Sequence, residues 1–288
     1  MNDIHWFPGH MAKARRLIEE KIKLIDVVIE IIDARIPYSS KNPMMDELVF
    51  NKKKIIIMSK IDLADAGKTK QWQKYYEQQG YYVITSNLLD FKELKSIVTQ
   101  IQIELKEQLL KEQKRGLKPR AIRALVVGIP NVGKSTLINK LAKRSSAKVG
   151  NKAGVTKALQ WIKVDHNLEL LDSPGILWPK LDDKKVALNL ALTGAIKDEI
   201  LPKEYLCFEA MKFMNKNYQE AFYQRYSLVE MDNDSIDSIV AALDIIGQKR
   251  GCLSKGNIID YDKVYDIVLK EVKNATIARM TFDYEITT

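Results

Sequence analysis

The chain has 288 residues, 46% of them hydrophobic, and a formal net charge of +9. That length can bury a sizeable core and predicts one large domain plus a smaller one. The two cysteines, Cys207 and Cys252, form no CxxC pair, and no apolar run is long enough for a signal peptide or membrane span; structural zinc and a membrane partner are therefore not expected, and a reducing, cytoplasmic location is.

In chain order, residues 11–24 have helical periodicity and Val27–Asp33 reads as a buried strand. A helix over 43–51 leads to a second strand at Lys54–Met58, and Ser59-Lys60-Ile61-Asp62 follows it directly. The Asp62 carboxylate at such a place can accept both N1–H and the exocyclic N2–H₂ of guanine, a pair adenine does not offer. The stem of Lys60 can lie along the purine face. In GTPases the first position is most often Asn, whose amide ties the base to the phosphate loop; Ser59 lacks it, and weaker nucleotide affinity is the expectation. A helix over 69–79 and a strand over 81–85 follow, and Thr85-Ser86-Asn87 has a weak likeness to a second base-contacting loop, which makes Ser86 and Asn87 candidate contacts. The helix predicted over 91–113 runs into the basic stretch Lys111–Arg120, which reads as an exposed hinge.

The next segment carries the strongest signal. Arg123–Val127 reads as a strand, residues 136–142 as a helix, and Gly128-Ile-Pro-Asn131-Val132-Gly133-Lys134-Ser135 between them fits G-x-x-x-x-G-K-[ST]. Gly128 and Gly133 permit a tight turn, so that consecutive N–H groups over Asn131, Val132, Gly133, Lys134, Ser135 and Thr136 can face phosphates at a helix N-terminus. Lys134 would reach the β- and γ-phosphates, and the Ser135 hydroxyl would ligate Mg²⁺. A second basic cluster, Lys140–Lys157, contains Gly-Val-Thr156, where the Thr156 hydroxyl is a second candidate for the metal. Strands at 159–164 and 168–172 are close enough for a hairpin. The latter ends in Asp172-Ser-Pro-Gly175, which offers a carboxylate to Mg²⁺ through water and a Gly175 N–H to the γ-phosphate. Ile176 stands where Ras-like enzymes place a water-orienting Gln, and an aliphatic side chain cannot polarise water.

Beyond Trp178 strand signals become scarce. Residues 182–288 read as a helical bundle, with Gly247–Gly251 as a turn between helices. The charge is unevenly divided: residues 1–180 hold 32 Lys and Arg against 19 Asp and Glu (+13), whereas 181–288 hold 14 against 18 (−4). Two basic clusters in the first part favour a nucleic-acid partner recognised through phosphate and shape. The resulting expectation is an α/β fold with a mostly parallel sheet, one antiparallel edge and a P-loop GTP-binding domain over residues 1–180, followed by a smaller all-α domain over 181–288.

Trp6-Phe-Pro-Gly-His10-Met-Ala-Lys-Ala14, Asp33-Ala-Arg-Ile-Pro-Tyr38, Gly116-Leu-Lys-Pro-Arg-Ala-Ile-Arg123, the phosphate loop, Gly150-Asn-Lys-Ala-Gly-Val-Thr156 and Asp172-Ser-Pro-Gly-Ile-Leu-Trp-Pro179 follow one another in this chain. In kind and order they resemble the ribosome biogenesis GTPase A (RbgA/YlqF) family of circularly permuted GTPases, over nearly the whole length. The resemblance implies hydrolysis of GTP to GDP and phosphate with Mg²⁺, and late assembly of the large ribosomal subunit through contact with its rRNA. It further implies turnover stimulated by the subunit and a C-terminal domain similar to an RNA-binding antiterminator module; no DNA partner is implied. His10 is the catalytic candidate alongside Lys134, and a likeness to potassium-stimulated GTPases makes Asn131 the residue to help hold K⁺. Two alternative readings are a nucleotide-gated RNA-binding scaffold with incidental hydrolysis and a related permuted GTPase with another ribosomal target.

Overall fold

A computed structural model describes residues 9–116, 120–144, 159–164, 166–177, 183–196 and 200–286. All seven residues of strand β1 (Val27–Asp33) are buried, as a near-continuous apolar run requires when helices cover both faces of a parallel sheet. Strand β2 (Lys53–Ser59) lies parallel on one side of it, with β3 (Tyr82–Ser86) beyond. On the other side come β4 (Ile122–Val127) and then β6 (Leu168–Asp172), both parallel, with β5 (Gln160–Lys163) antiparallel at the edge. The order is β3-β2-β1-β4-β6-β5.

This order explains where a ligand can sit. The chain moves outward from β1 through β2 and β3, then returns to start β4 on the opposite flank of β1. The direction of travel reverses between β1 and β4, and such a reversal opens a crevice at the carboxyl ends of the strands. The strand that feeds the phosphate loop is thus fourth in the chain but lies inside the sheet, the geometry of a permuted motif order.

Helices α1 (Gly9–Lys21), α2 (Pro43–Leu48), α3 (Ala66–Gln78), α4 (Phe91–Lys114) and α5 (Lys134–Arg144) belong to this half. Asp65 starts α3 earlier than its apolar periodicity suggests, because its carboxylate accepts from the Lys68 N–H and so satisfies a terminal donor. The second half holds α6 (Lys184–Leu192), α7 (Lys203–Asn217), α8 (Gln219–Tyr226), α9 (Ile236–Arg250) and α10 (Tyr261–Lys273). The turn expected over Gly247–Gly251 is corrected. Residues 247–250 are the last turn of α9, and only Gly251, at φ 67°, ends it. Gly247 is there for packing: a Cβ would stand 2.9 Å from Ile259 Cγ2. Among the described residues no helix is long and apolar enough to cross a membrane.

One apolar cluster runs from the sheet into these helices, joining Ile29, Val126 and Leu170 to Leu206, Phe222 and Leu243. After α10 the chain returns to the sheet. Met280 N–H donates to Leu63 O and Phe282 N–H to Arg35 O, so the tail runs across the carboxyl ends of β1 and β2.

Candidate functional site

The phosphate loop leaves β4 and enters α5 within six residues, and its backbone explains its glycines. Gly128 has φ 149° and Gly133 φ 108°; a Cβ on Gly128 would stand 2.5 Å from Ile31 O, and one on Gly133 2.8 Å from a Leu88 methyl. Asn131 also takes a positive φ, 61°, which Asn tolerates better than most residues. Lys134 is buried, with Nζ 2.9 Å from Gly128 O and 2.7 Å from Ile129 O. Burial pulls its pKa down to about 8, partly offset by the nearby Asp172 carboxylate. Ser135 and Asn131 are exposed, and the Asn131 amide donates to Gly194 O at 2.8 Å, a contact to the turn after α6 that nothing in the sequence announces.

The tie between base loop and phosphate loop, expected to be missing with Ser59, is made by a hydroxyl. Ser59 Oγ lies 2.7 Å from Val132 O and 2.9 Å from Ile32 O, and its single proton donates to one carbonyl at a time. Lys60 has φ 57°, and its Nζ donates to Asp33 Oδ2 at 2.8 Å. Asp33 is also gripped by Arg35 through Nε at 3.0 Å and Nη2 at 2.7 Å. Burial alone would raise the Asp33 pKa, but the two cations bring it down to about 2. This trio, with Asp33 and Arg35 buried and Lys60 half-buried, was legible only as a family motif at Asp33 and Arg35.

Asp172 ends β6 beside β4, opposite Val126, and is buried. Gly175 presses on the phosphate loop: a Cβ there would lie 2.9 Å from both Cα and N of Pro130 and 3.1 Å from Lys134 Nζ. Ile176 is buried, and its carbonyl accepts from the Asn42 amide at 2.8 Å. Asn42 in turn caps α2 through its Oδ1, so α2 anchors the segment after Gly175. The donor types suit Mg²⁺: a carboxylate from Asp172 at the end of β6 and a hydroxyl from Ser135 in the first turn of α5 are hard oxygens.

A cleft of about 470 Å³ opens here, lined by Ser59, Lys60, Asp62, Asn87, residues 131–136 and the leucines 63, 88 and 89. Asp62 and the phosphate loop thus share one cavity although 69 residues (62 to 131) separate them in the chain. Among the described candidates, Ile61, Ser86, Asp172 and Gly175 lie outside its lining. Ser86 is fully buried at the end of β3, opposite Ser59, and Ile61 packs against the smaller core cluster around Trp72. Asn87 lines the cleft while its Oδ1 accepts from Leu89 N–H. Leu88 and the exposed Leu89 were missed by motif reasoning; two leucines directly after a polar turn were the available signal. The His10 backbone lies in the first turn of α1, but its side chain falls outside the described residues, as does all of Gly150–Thr156. Of the hinge cluster, Arg120 is engaged internally, bidentate on Asp26 at 2.7 Å and 2.9 Å from Glu112, whereas Lys111, Lys114 and Arg115 are exposed.

A family described as 50S ribosome-binding GTPase matches residues 123–209. The chain is 51% identical over 280 residues to Ribosome biogenesis GTPase A of Bacillus cereus, covering 97% of this chain and 93% of that one. It is 30% identical to the protein of that name from Thermotoga maritima, covering 96% and 93%. Among solved structures, GDP-bound TM YlqF superposes with a TM-score of 0.66 at 27% identity, over 92% of this chain and 97% of that one. GNP-bound YlqF from T. maritima gives 0.62 at 27% identity, over 94% and 97%.

Proposed function

The chain belongs to the ribosome biogenesis GTPase A family, and from that premise we propose that this GTP hydrolase matures precursors of the large ribosomal subunit, binds their rRNA and turns over faster on the particle. One observation carries the nucleotide part of the reading. Base-reading and phosphate-binding segments that are far apart, and in reversed order, in the chain line a single cleft at the sheet's reversal point. Residues 1–180 form the nucleotide unit in this reading and 181–288 the helical unit that meets the ribosome in the cytoplasm. The exposed Lys111, Lys114 and Arg115 supply phosphate-directed charge on the first unit.

Within the cleft, Asp62 selects guanine and backbone N–H groups of residues 131–136 hold the phosphates, with Lys134 adding charge. Ser135, Thr156 and Asp172 would hold Mg²⁺, which when bound neutralises charge developing on the β- and γ-phosphate oxygens. Gly175 brings its backbone against the phosphate loop, so that segment follows the state of the γ-phosphate. Ile176 is buried and aliphatic, so water must be oriented from elsewhere, and we assign that role to His10. Asn131 presents its amide oxygen for K⁺, since its NH₂ is the group used on Gly194 O. Co-sedimentation with large-subunit precursors, with and without a non-hydrolysable GTP analogue, tests the reading. Binding that depends on the analogue and falls steeply with salt is expected; nucleotide-independent binding, or none, would overturn the ribosomal part.

A further inference from the structure

We propose that Arg35 is a positioning residue of the nucleotide cleft: through Asp33 it holds Lys60 in place, and it ties that base-loop lysine to the ends of two C-terminal helices. All three guanidinium nitrogens of Arg35 have partners. Nε and Nη2 grip Asp33, Nη2 also donates to Thr193 O at 3.1 Å, and Nη1 donates to Lys273 O at 2.8 Å. Thr193 caps the C-terminus of α6 and Lys273 is the last residue of α10. Carbonyls at helix C-termini carry partial negative charge, which a buried guanidinium complements. Neutralising Asp33 requires neither of these contacts, nor both cations.

The other end of the chain of contacts is Lys60. Its left-handed backbone is uncommon for a residue with a long side chain and persists where surrounding contacts over-determine it. Asp33 Oδ2 supplies one such contact, and Met280 N–H on Leu63 O holds the same loop two residues after Ile61. The turn after α6 is held from both sides of the cleft. Thr193 O goes to Arg35 on the base side, and the next carbonyl, Gly194 O, goes to Asn131 in the phosphate loop. Anything that moves α6 or α10 therefore acts on the base loop, and by reciprocity nucleotide binding acts on those helix ends.

This inference rests on the cleft binding guanine nucleotide, and the test separates the two. GDP is titrated by calorimetry into the full-length chain, Arg35→Ala, Lys60→Met and the double variant. Each single change is expected to weaken GDP on the order of tenfold, and the double variant no more than the worse single, because the two lie on one path. Additive losses with a wild type that binds GDP would overturn the inference alone; a wild type that does not bind GDP would overturn the site reading and the inference with it. Should Arg35→Ala not fold, amide exchange in the wild type decides. GDP is expected to slow exchange over residues 272–276, which Arg35 joins to the cleft, and unchanged exchange there would overturn the inference.

Discussion

Lys134 shows how one residue's environment sets a pH dependence. In the free protein its ammonium is buried and titrates near 8, well below the 10.5 of an exposed lysine. A bound triphosphate beside it favours the charged form, so the bound-state pKa lies higher. Affinity is then complete below pH 8 and falls as pH rises through that value, by up to about tenfold per unit. Folding stability runs the other way: between pH 8 and 10.5 the unfolded chain holds the extra proton, so stability from this group rises with pH. Nucleotide titrations from pH 7 to 9.5 are expected to show this fall, with proton uptake on binding above pH 8, and Lys134→Ala is expected to abolish binding at every pH. The phosphate-binding role proposed for Lys134 was legible because its motif is local. The tie made by Ser59 was not, since the partner of its hydroxyl, Val132 O, lies 73 residues away.

At the level of elements, the exit of β6 is packed tightly against the phosphate loop. The atoms nearest a Cβ on Gly175 are backbone atoms of Pro130, with Lys134 Nζ next at 3.1 Å, so an added methyl cannot be accommodated by a rotamer change alone. Gly175→Ala is expected to push the two segments apart, lowering GTP affinity at least about tenfold and costing about 1–3 kcal/mol of stability. Comparing GTP and GDP titrations with thermal unfolding checks this, and the loss should be larger for GTP. The existence and type of the elements were legible from periodicity, because apolar runs and helical spacing are local. Their ends were less so. α3 begins where Asp65 caps it, and α9 continues through Gly247 because packing against Ile259 favours a residue without a side chain.

At the scale of the molecule, the tail after α10 clamps the two halves together. Asp283 is buried; its carboxylate accepts from Ser39 N–H and Oγ, both at 2.7 Å, and from Asn189 Nδ2 at 2.8 Å. Its own carbonyl accepts from the Trp72 indole at 2.8 Å. Burial raises the Asp283 pKa, against these hydrogen bonds. Asp283→Ala leaves three buried donor groups short of a partner and is expected to cost about 3 kcal/mol, measured by urea unfolding followed through tryptophan fluorescence. Asp283→Asn, which keeps an acceptor oxygen, is expected to lose less.

The sequence by itself carried the segments proposed to do the chemistry of the cleft, their permuted order and the α/β then all-α division of elements. Motifs such as 128–135 and 172–175 are continuous stretches whose glycines, lysine and carboxylate carry their function in their spacing. Only the tertiary structure decided that Ser59 takes over the tie to the phosphate loop, that Ser86 lies behind the cleft wall, and that Arg35, Asn131 and Asp283 bind the nucleotide half to α6, α10 and the tail. Those contacts join residues from 63 to 244 positions apart, and side chains at such distances leave no periodic or local trace. They are set by which strand ends and helix ends the sheet's reversal brings together.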